Sequence, residues 1–335
     1  MSQKGKYDTP LKATINGIIE MFKTKERIGT LAPDDRIDGK TCLVTGANTG
    51  LGFAIATQLA QRGGHVIMAC RSGIPEAGER VKQLSGSDKV EMMKIDLADL
   101  NAIEHFIQQL GKRQIDIAVF NAAVVPKGSK KTPQGLEQMF MVNYLAKFVL
   151  LQRLLKNGNI ANRAFGGKSG EIAPRIIFIS SESHRPADAL DFQTLGDYQE
   201  FTMSKVIKLY GYYKLAMNTF ATELSRRLNP SGMVDVSVHA LCPGPVNSDI
   251  ARNAPKVFKP LVKVMFNLFF QSPEKAAEPA VYLACSPDVE GKTDIYLHLM
   301  AQKPMAAKAL DPEAGKKIWA RSAGLLAEIS SAQHS

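Results

Sequence analysis

From Gly39 onward, short apolar runs alternate with longer amphipathic stretches along this chain. Thr41 to Thr45, His65 to Ala69, Val90 to Ile95, Ile115 to Phe120, Arg175 to Ser180 and Val234 to Leu241 read as strands, and a shorter one follows at Ile295 to Leu297. The stretches between them carry helical periodicity. They run from about Leu51 to Arg62, through Leu100, Ile103, Phe106, Ile107 and Leu110 on one face, then Pro133 to Lys156, Ser204 to Leu228 and Pro273 to Ala284. Apolar strands separated by amphipathic helices predict a parallel sheet of about seven strands with both faces covered. No polar linker divides the pattern, so residues 39–335 read as one α/β domain. Residues 1–38 form an N-terminal extension, in which Leu11, Ile15, Ile18, Ile19 and Phe22 recur at helical spacing.

Composition narrows the picture. The chain has 335 residues, 45% hydrophobic and 22% charged, which excludes a disordered or fibrous protein. Cys42, Cys70, Cys242 and Cys285 form no C-x-x-C pair, and three of them fall in apolar runs. That pattern argues against a disulfide framework or a zinc ribbon and suits a reducing, cytoplasmic setting. No metal site is expected. The first ten residues are polar and lack the apolar stretch of a secretory leader, and no run of 18 apolar residues occurs. The net charge of +10 is scattered and accompanies no nucleic-acid-binding motif, so no nucleic acid partner is expected.

Chemistry begins just after the first strand, at Thr45-Gly46-Ala47-Asn48-Thr49-Gly50-Leu51-Gly52, which opens a helix. Glycines there allow a tight turn and close backbone approach to a pyrophosphate. The helix N-terminus offers free N–H groups to the phosphates. Strand, glycine loop and helix in that order point to dinucleotide binding through Gly46, Asn48, Thr49, Gly50, Leu51 and Gly52. The end of the second strand, Ala69-Cys70-Arg71-Ser72, has no acid to bind ribose hydroxyls. Arg71 suits a 2′-phosphate instead, so NADP(H) is the expected cofactor.

The T-G-x-x-x-G-x-G spacing resembles the cofactor loop of the short-chain dehydrogenase/reductase family. That resemblance asks for a Tyr-x-x-x-Lys pair far downstream, with a serine before it. Tyr210 is the one tyrosine with a lysine four residues on, Lys214, and i,i+4 neighbours share a helix face. The resemblance implies a Rossmann-type doubly wound sheet, with Tyr210 as the group that donates or accepts the proton. It implies that Lys214 favours the phenolate and binds the nicotinamide ribose, and that Ser181 holds the substrate oxygen. It also implies that Asn143 supports a water-linked proton relay. Further matches are Asp96-Leu97 after the third strand, Asn121-Ala122-Ala123 after the fourth, and Pro243-Gly244 with Val246 and Ser248 after the sixth. Departures are Phe120 and Ala123 in the N-N-A-G segment, Tyr213 for the serine before the lysine, and Ser248 for threonine.

The wording is closest to the retinol dehydrogenase-like branch, through Ala69-Cys70-Arg71, Ser180 to Arg185 and the long apolar stretch after Pro243-Gly244. The resemblance implies an NADP(H)-dependent oxidoreductase of a small hydrophobic alcohol or carbonyl, of retinoid, steroid or lipid type. It also implies an apolar substrate lid at about residues 249–272. The lid, with Lys256, Lys259 and Lys263, and the N-terminal stripe leave a peripheral membrane contact open. A homo-oligomer is open as well. Two other readings remain at this point. The light-dependent protochlorophyllide reductases, which reduce a C=C bond, share much of the same wording. A non-catalytic NADP-binding sensor or scaffold typically loses the tyrosine or the lysine, and this chain keeps both.

Overall fold

A computed structural model describes residues 28–245 and 271–334. The N-terminal stripe, Val246, Ser248 and nearly all of the expected lid lie outside the described residues.

Seven parallel strands form the sheet: β1 Thr41–Thr45, β2 His65–Cys70, β3 Val90–Lys94, β4 Ile117–Phe120, β5 Arg175–Ile179, β6 Ser237–Cys242 and β7 Tyr296–His298. An eighth, β8 Ala301–Gln302, returns antiparallel beside β7. The expected count was about seven. The extra strand is two residues long, too short to leave a pattern in the sequence. The order is β3-β2-β1-β4-β5-β6-β7-β8. The chain winds outward in both directions from the β1/β4 boundary, where a doubly wound sheet opens a crevice at its strand C-termini. The sixth strand starts at Ser237 rather than at Val234. The Asn229 side chain takes the Asp235 and Val236 N–H groups before they can join the ladder.

Helices cover both faces: α1 Gly50–Gln61, α2 Glu76–Ser85, α3 Leu100–Leu110, α4 at 138–156, α5 Met203–Leu228, α6 Pro273–Cys285, the short α7 Ala307–Leu310 and α8 Pro312–His334. Strand residues alternate between two cores even where every residue is apolar. Leu43, Ala118, Ile176, Phe178 and Ala240 pack with α3, α4 and α5. Cys42, Val44, Val66, Val119, Ile177 and Leu241 pack with α1 and α6. All four cysteines are buried and free. Helix α4 is not uniform: Gln138–Phe140 and Ala146–Lys156 are joined by a π-helical turn, Met141–Leu145. Such wide turns are frequent at functional sites.

Candidate active site

The glycine loop leaves β1 and enters α1 at the β1/β4 boundary. Gly46 and Gly50 adopt φ of +66° and +56°. A Cβ on Gly52 would come within 2.3 Å of the Gly46 carbonyl and 2.4 Å of Asn121 Nδ2, so only glycine lets the helix pack this tightly. Thr49 precedes α1 without a side-chain cap, and the first turn carries no acid. Its N–H groups stay available for an anion. Asn121 stitches the loop after β4 to the glycine loop, its Nδ2 donating to Thr45 O (3.0 Å) and Gly46 O (3.1 Å). The Ala122 N–H donates to Thr45 Oγ1 at 3.2 Å, and Ala123 is exposed beyond it. Asn48 Nδ2 reaches Ser72 Oγ at 3.4 Å, and Leu51 packs on the inner core. Arg71 is exposed and lines an open cleft with Ser72, Gly73, Lys94 and Arg113. Asp96 is half-buried and accepts the Ala98 N–H at 2.9 Å, with Leu97 buried beside it. Pro243 and Gly244 continue from β6 toward the same crevice edge. The cradle has the shape and the free donors a dinucleotide requires.

Ser181 lies just past the end of β5 and opens a tight turn, Glu182–His184. Its Oγ accepts from Ser183 N (3.3 Å) and Ser183 Oγ (3.0 Å), which leaves its own O–H to donate elsewhere. The buried His184 holds this turn. Its Nδ1 donates to Ser181 O at 2.7 Å while Nε2 accepts from Ala306 N at 3.2 Å. This pairing needs the neutral ring, and burial pushes His184 down to about 4. Glu182 also stays charged. Burial pushes it up, but Arg185 and Lys303 outweigh that and hold it at about 2.

Helix α5 brings Tyr210 and Lys214 to this turn. Gly211 makes the approach possible, because a Cβ there would sit 2.5 Å from Ser183 O. Lys214 is buried, its Nζ 5.6 Å from the centre of the Tyr210 ring and donating to Ile179 O at 2.7 Å. Burial lowers Lys214 to about 8. Burial pushes the Tyr210 phenol well above its ordinary range and Cys242 adds to this, while the Ser181 hydroxyl pulls the other way. Tyr210 is therefore a phenol that can give a proton. The expected lowering by Lys214 is not what dominates.

Asn143 sits in the π-helical turn. Its side chain is committed to Val124, accepting from its N–H at 2.7 Å and donating to its carbonyl at 2.9 Å. Tyr210, Lys214 and Ser181 thus meet as expected, while the Asn143 side chain is taken up in bracing the loop at Val124. Sequence reasoning missed His184 as the brace of Ser181, and it missed Lys147, whose Nζ donates to Asn143 O at 3.0 Å. The signal for Lys147 was a lysine at i+4 from Asn143 inside an otherwise apolar run. Among the described residues no helix is long and apolar enough to cross a membrane.

Comparison with known proteins gives concordant findings. Residues 40–187 match the short chain dehydrogenase family. Retinol dehydrogenase 13 of Mus musculus is 36% identical over 93% of this chain and 91% of its own length. A solved structure of an uncharacterized protein from Mycobacterium paratuberculosis superposes with a TM-score of 0.65 at 25% identity, covering 89% of this chain and 97% of that one. The Pseudomonas aeruginosa RhlG/NADP active-site complex superposes with a TM-score of 0.60 at 22% identity, covering 80% of this chain and 98% of that one.

Proposed function

The chain belongs to the short-chain dehydrogenase/reductase family, in its retinol dehydrogenase-like branch, and from that premise we propose that it is an NADP(H)-dependent oxidoreductase of hydrophobic alcohols and carbonyls. The observation that carries this reading is the meeting of Tyr210, Lys214 and Ser181 at the crevice beside the glycine cradle.

The cofactor, when bound, supplies or takes the hydride. The chain's own residues do the rest. Gly46 to Gly52 and the start of α1 hold the pyrophosphate. Arg71 meets the 2′-phosphate in a cleft it shares with two other basic side chains, Lys94 and Arg113. Ser181 donates its O–H to the substrate oxygen, which stabilises charge developing there. In reduction the O–H bond of Tyr210 breaks and a new one forms on that oxygen, leaving a phenolate that the Lys214 ammonium stabilises. Oxidation runs the same proton backward. Ile179 O keeps Lys214 from swinging away.

A lipophilic substrate is supported by the same helix. Met203, Ile207, Tyr210 and Lys214 recur at helical spacing on one stripe of α5. Met203 and Ile207 remain 63% and 54% exposed, an apolar approach running along the helix toward Tyr210.

The test is oxidation of NADPH, and separately of NADH, in the presence of all-trans-retinal, decanal and a short polar aldehyde. Turnover with the first two and a preference for NADPH are expected. In Arg71→Ala, NADPH affinity should fall about ten- to a hundredfold, the worth of a charge-assisted hydrogen-bond pair. Equal NADPH affinity in both proteins would remove the assignment of Arg71. Tight NADPH binding with no turnover of any aldehyde would turn the reading toward a sensor.

A further inference from the structure

The turn that carries Ser181 is more heavily charged than a turn requires. The Glu182 carboxylate gathers three donors: Tyr296 OH reaches Oε1 at 2.7 Å, Arg185 Nε reaches Oε2 at 2.8 Å, and Lys303 Nζ reaches the same Oε2. The Glu182, Arg185 and Lys303 side chains are only 14%, 11% and 14% exposed, so solvent screens the cluster weakly. Arg185 also sends Nη2 to Pro304 O at 2.7 Å, and His184 takes the Ala306 N–H. Glu182, His184 and Arg185 thus all reach residues 296–306, the β7–β8 hairpin and the segment that leaves it. The hairpin brings Lys303 back beside Tyr296, the Lys303 N–H donating to Tyr296 O at 3.1 Å, so both side chains meet one carboxylate.

We propose that Glu182 is a positioning residue of this site: its carboxylate clamps the Ser181 turn to the β7–β8 hairpin and so fixes the direction in which Ser181 offers its O–H to the substrate oxygen. The role in turnover rests on the oxidoreductase reading above, whereas the clamp stands on the contacts alone. A buried ion cluster adds little stability over apolar packing of the same volume. What it adds is direction, because charge-assisted hydrogen bonds to both oxygens of one carboxylate fix its plane.

The link from Glu182 to the Ser181 hydroxyl is short. Ser183 donates to Ser181 Oγ from its N–H at 3.3 Å and from its own Oγ at 3.0 Å, and Glu182 is the residue between the two serines. His184 Nδ1 holds Ser181 O at 2.7 Å. The turn also rests on α5, where a Cβ at Gly211, next to Tyr210, would meet Ser183 O at 2.5 Å. It is therefore held between the helix that carries Tyr210 and the hairpin segment that supplies Tyr296 and Lys303. Release from the hairpin would let the Ser183 donors shift, and the Ser181 O–H would turn with them.

The experiment uses the full chain as wild type, Glu182→Gln and Tyr296→Phe. Glu182→Gln keeps the shape and removes the charge, and Tyr296→Phe removes one hydroxyl and keeps the ring. Amide hydrogen exchange is read by mass spectrometry on the peptide that spans the Ser181 turn, and NADPH affinity by fluorescence titration. In Glu182→Gln exchange of that peptide should quicken about tenfold, while the glycine-loop peptide exchanges as in the wild type and NADPH affinity stays within about twofold. Tyr296→Phe should move the same peptide by less. Unchanged exchange at the turn in folded Glu182→Gln overturns the proposal. So does a loss of NADPH affinity as large as the loss in kcat, which is what a merely structural role would give. If Glu182→Gln does not fold, Tyr296→Phe decides: quickened exchange with NADPH affinity retained supports the clamp, and unchanged exchange overturns it.

Turnover of all-trans-retinal with NADPH is measured on the same proteins, and kcat should fall about tenfold in Glu182→Gln. An unchanged kcat beside quickened exchange overturns the positioning role. If the wild type turns over the aldehyde and the exchange does not move, the inference falls and the function stands. If the exchange quickens and the wild type turns over nothing, the function falls and the clamp on the Ser181 turn stands.

Discussion

Tyr210 and Tyr212 stand two positions apart on one helix and serve different ends. The Tyr212 hydroxyl accepts the Asp191 N–H at 2.8 Å, which fixes the segment between Ser181 and the helix. Tyr213 is buried against Phe140. Tyr210 alone brings its hydroxyl to Ser181 and its ring to Lys214. Tyr210→Phe should therefore lower kcat by about a hundredfold or more while NADPH binding stays near normal, because a proton donor is lost and no phosphate contact is. Tyr212→Phe should keep its turnover and lose about 1 kcal/mol of stability with its hydrogen bond. Lys214→Ala should damage turnover and NADPH binding together, since the assigned roles touch both. Steady-state kinetics and fluorescence titration of NADPH on the three variants check this. Near-normal activity in Tyr210→Phe with loss in Tyr212→Phe would move the proton donor by about half a turn of helix.

At the scale of elements, what was legible in the sequence follows from periodicity and from single residues. Strands β1, β2, β4, β5 and β6 could be read because they are largely buried on both faces, whereas β3, at the sheet edge, has only Val90 and Met93 buried and was read from its short apolar run. The candidate site residues on them and on α1 and α5 followed from the motifs of the family resemblance. The π-helical turn could not be read, because its residues Met141 to Leu145 are as apolar as an ordinary helix and the difference lies in backbone bonding. Helix α2 escaped notice for the opposite reason, with Ala77, Gly78 and Val81 as its only buried residues. Helix α8 carries a readable stripe through Ile318, Ser322, Leu325 and Ile329, but it lies past the matched motifs. Contacts across the sheet were equally invisible. Arg175, the first residue of β5, sends Nη1 to the carbonyls of Leu283, Ala284 and Ser286 at 3.2, 3.0 and 2.9 Å, closing the C-terminal end of α6. Leu283 and Ala284 lie in the last turn of α6, where carbonyls have no onward helical partner. Arg175→Met should cost about 3 kcal/mol through the unpaired groups. The contact lies at the strand N-termini, opposite the cofactor cradle, so NADPH affinity of the folded variant should be unchanged. Urea unfolding and a binding titration would show it; a weakened NADPH complex with unchanged stability would contradict the placement.

At the scale of the whole molecule, two buried histidines make stability depend on pH. His184 is held at about 4 by burial. His239, on β6, is held at about 3 by burial and by Arg175, and neither of its ring nitrogens has a partner among the described residues. Both are neutral when folded, whereas the unfolded chain protonates them near about pH 6.5. The unfolded state then binds more protons, so the stability present above about 6.5 is lost as pH falls toward 4 and 3. Glu182 acts lower down. Its folded value of about 2 means that its contribution is present above about 4.3 and is lost as pH falls through 2. The first acid loss is therefore a histidine effect, each ring contributing about 1.4 kcal/mol per pH unit inside its window. His239→Leu separates the two rings. The substitution replaces an unpartnered polar side chain in the core with an apolar one of similar size, so it should raise stability at pH 7 or leave it unchanged. It should also make the decline between pH 6 and 4 shallower by about one proton's worth. Urea unfolding of both proteins at half-unit steps from pH 4 to 8 measures this directly. Parallel slopes in the two proteins would mean that His239 is not held neutral by the fold.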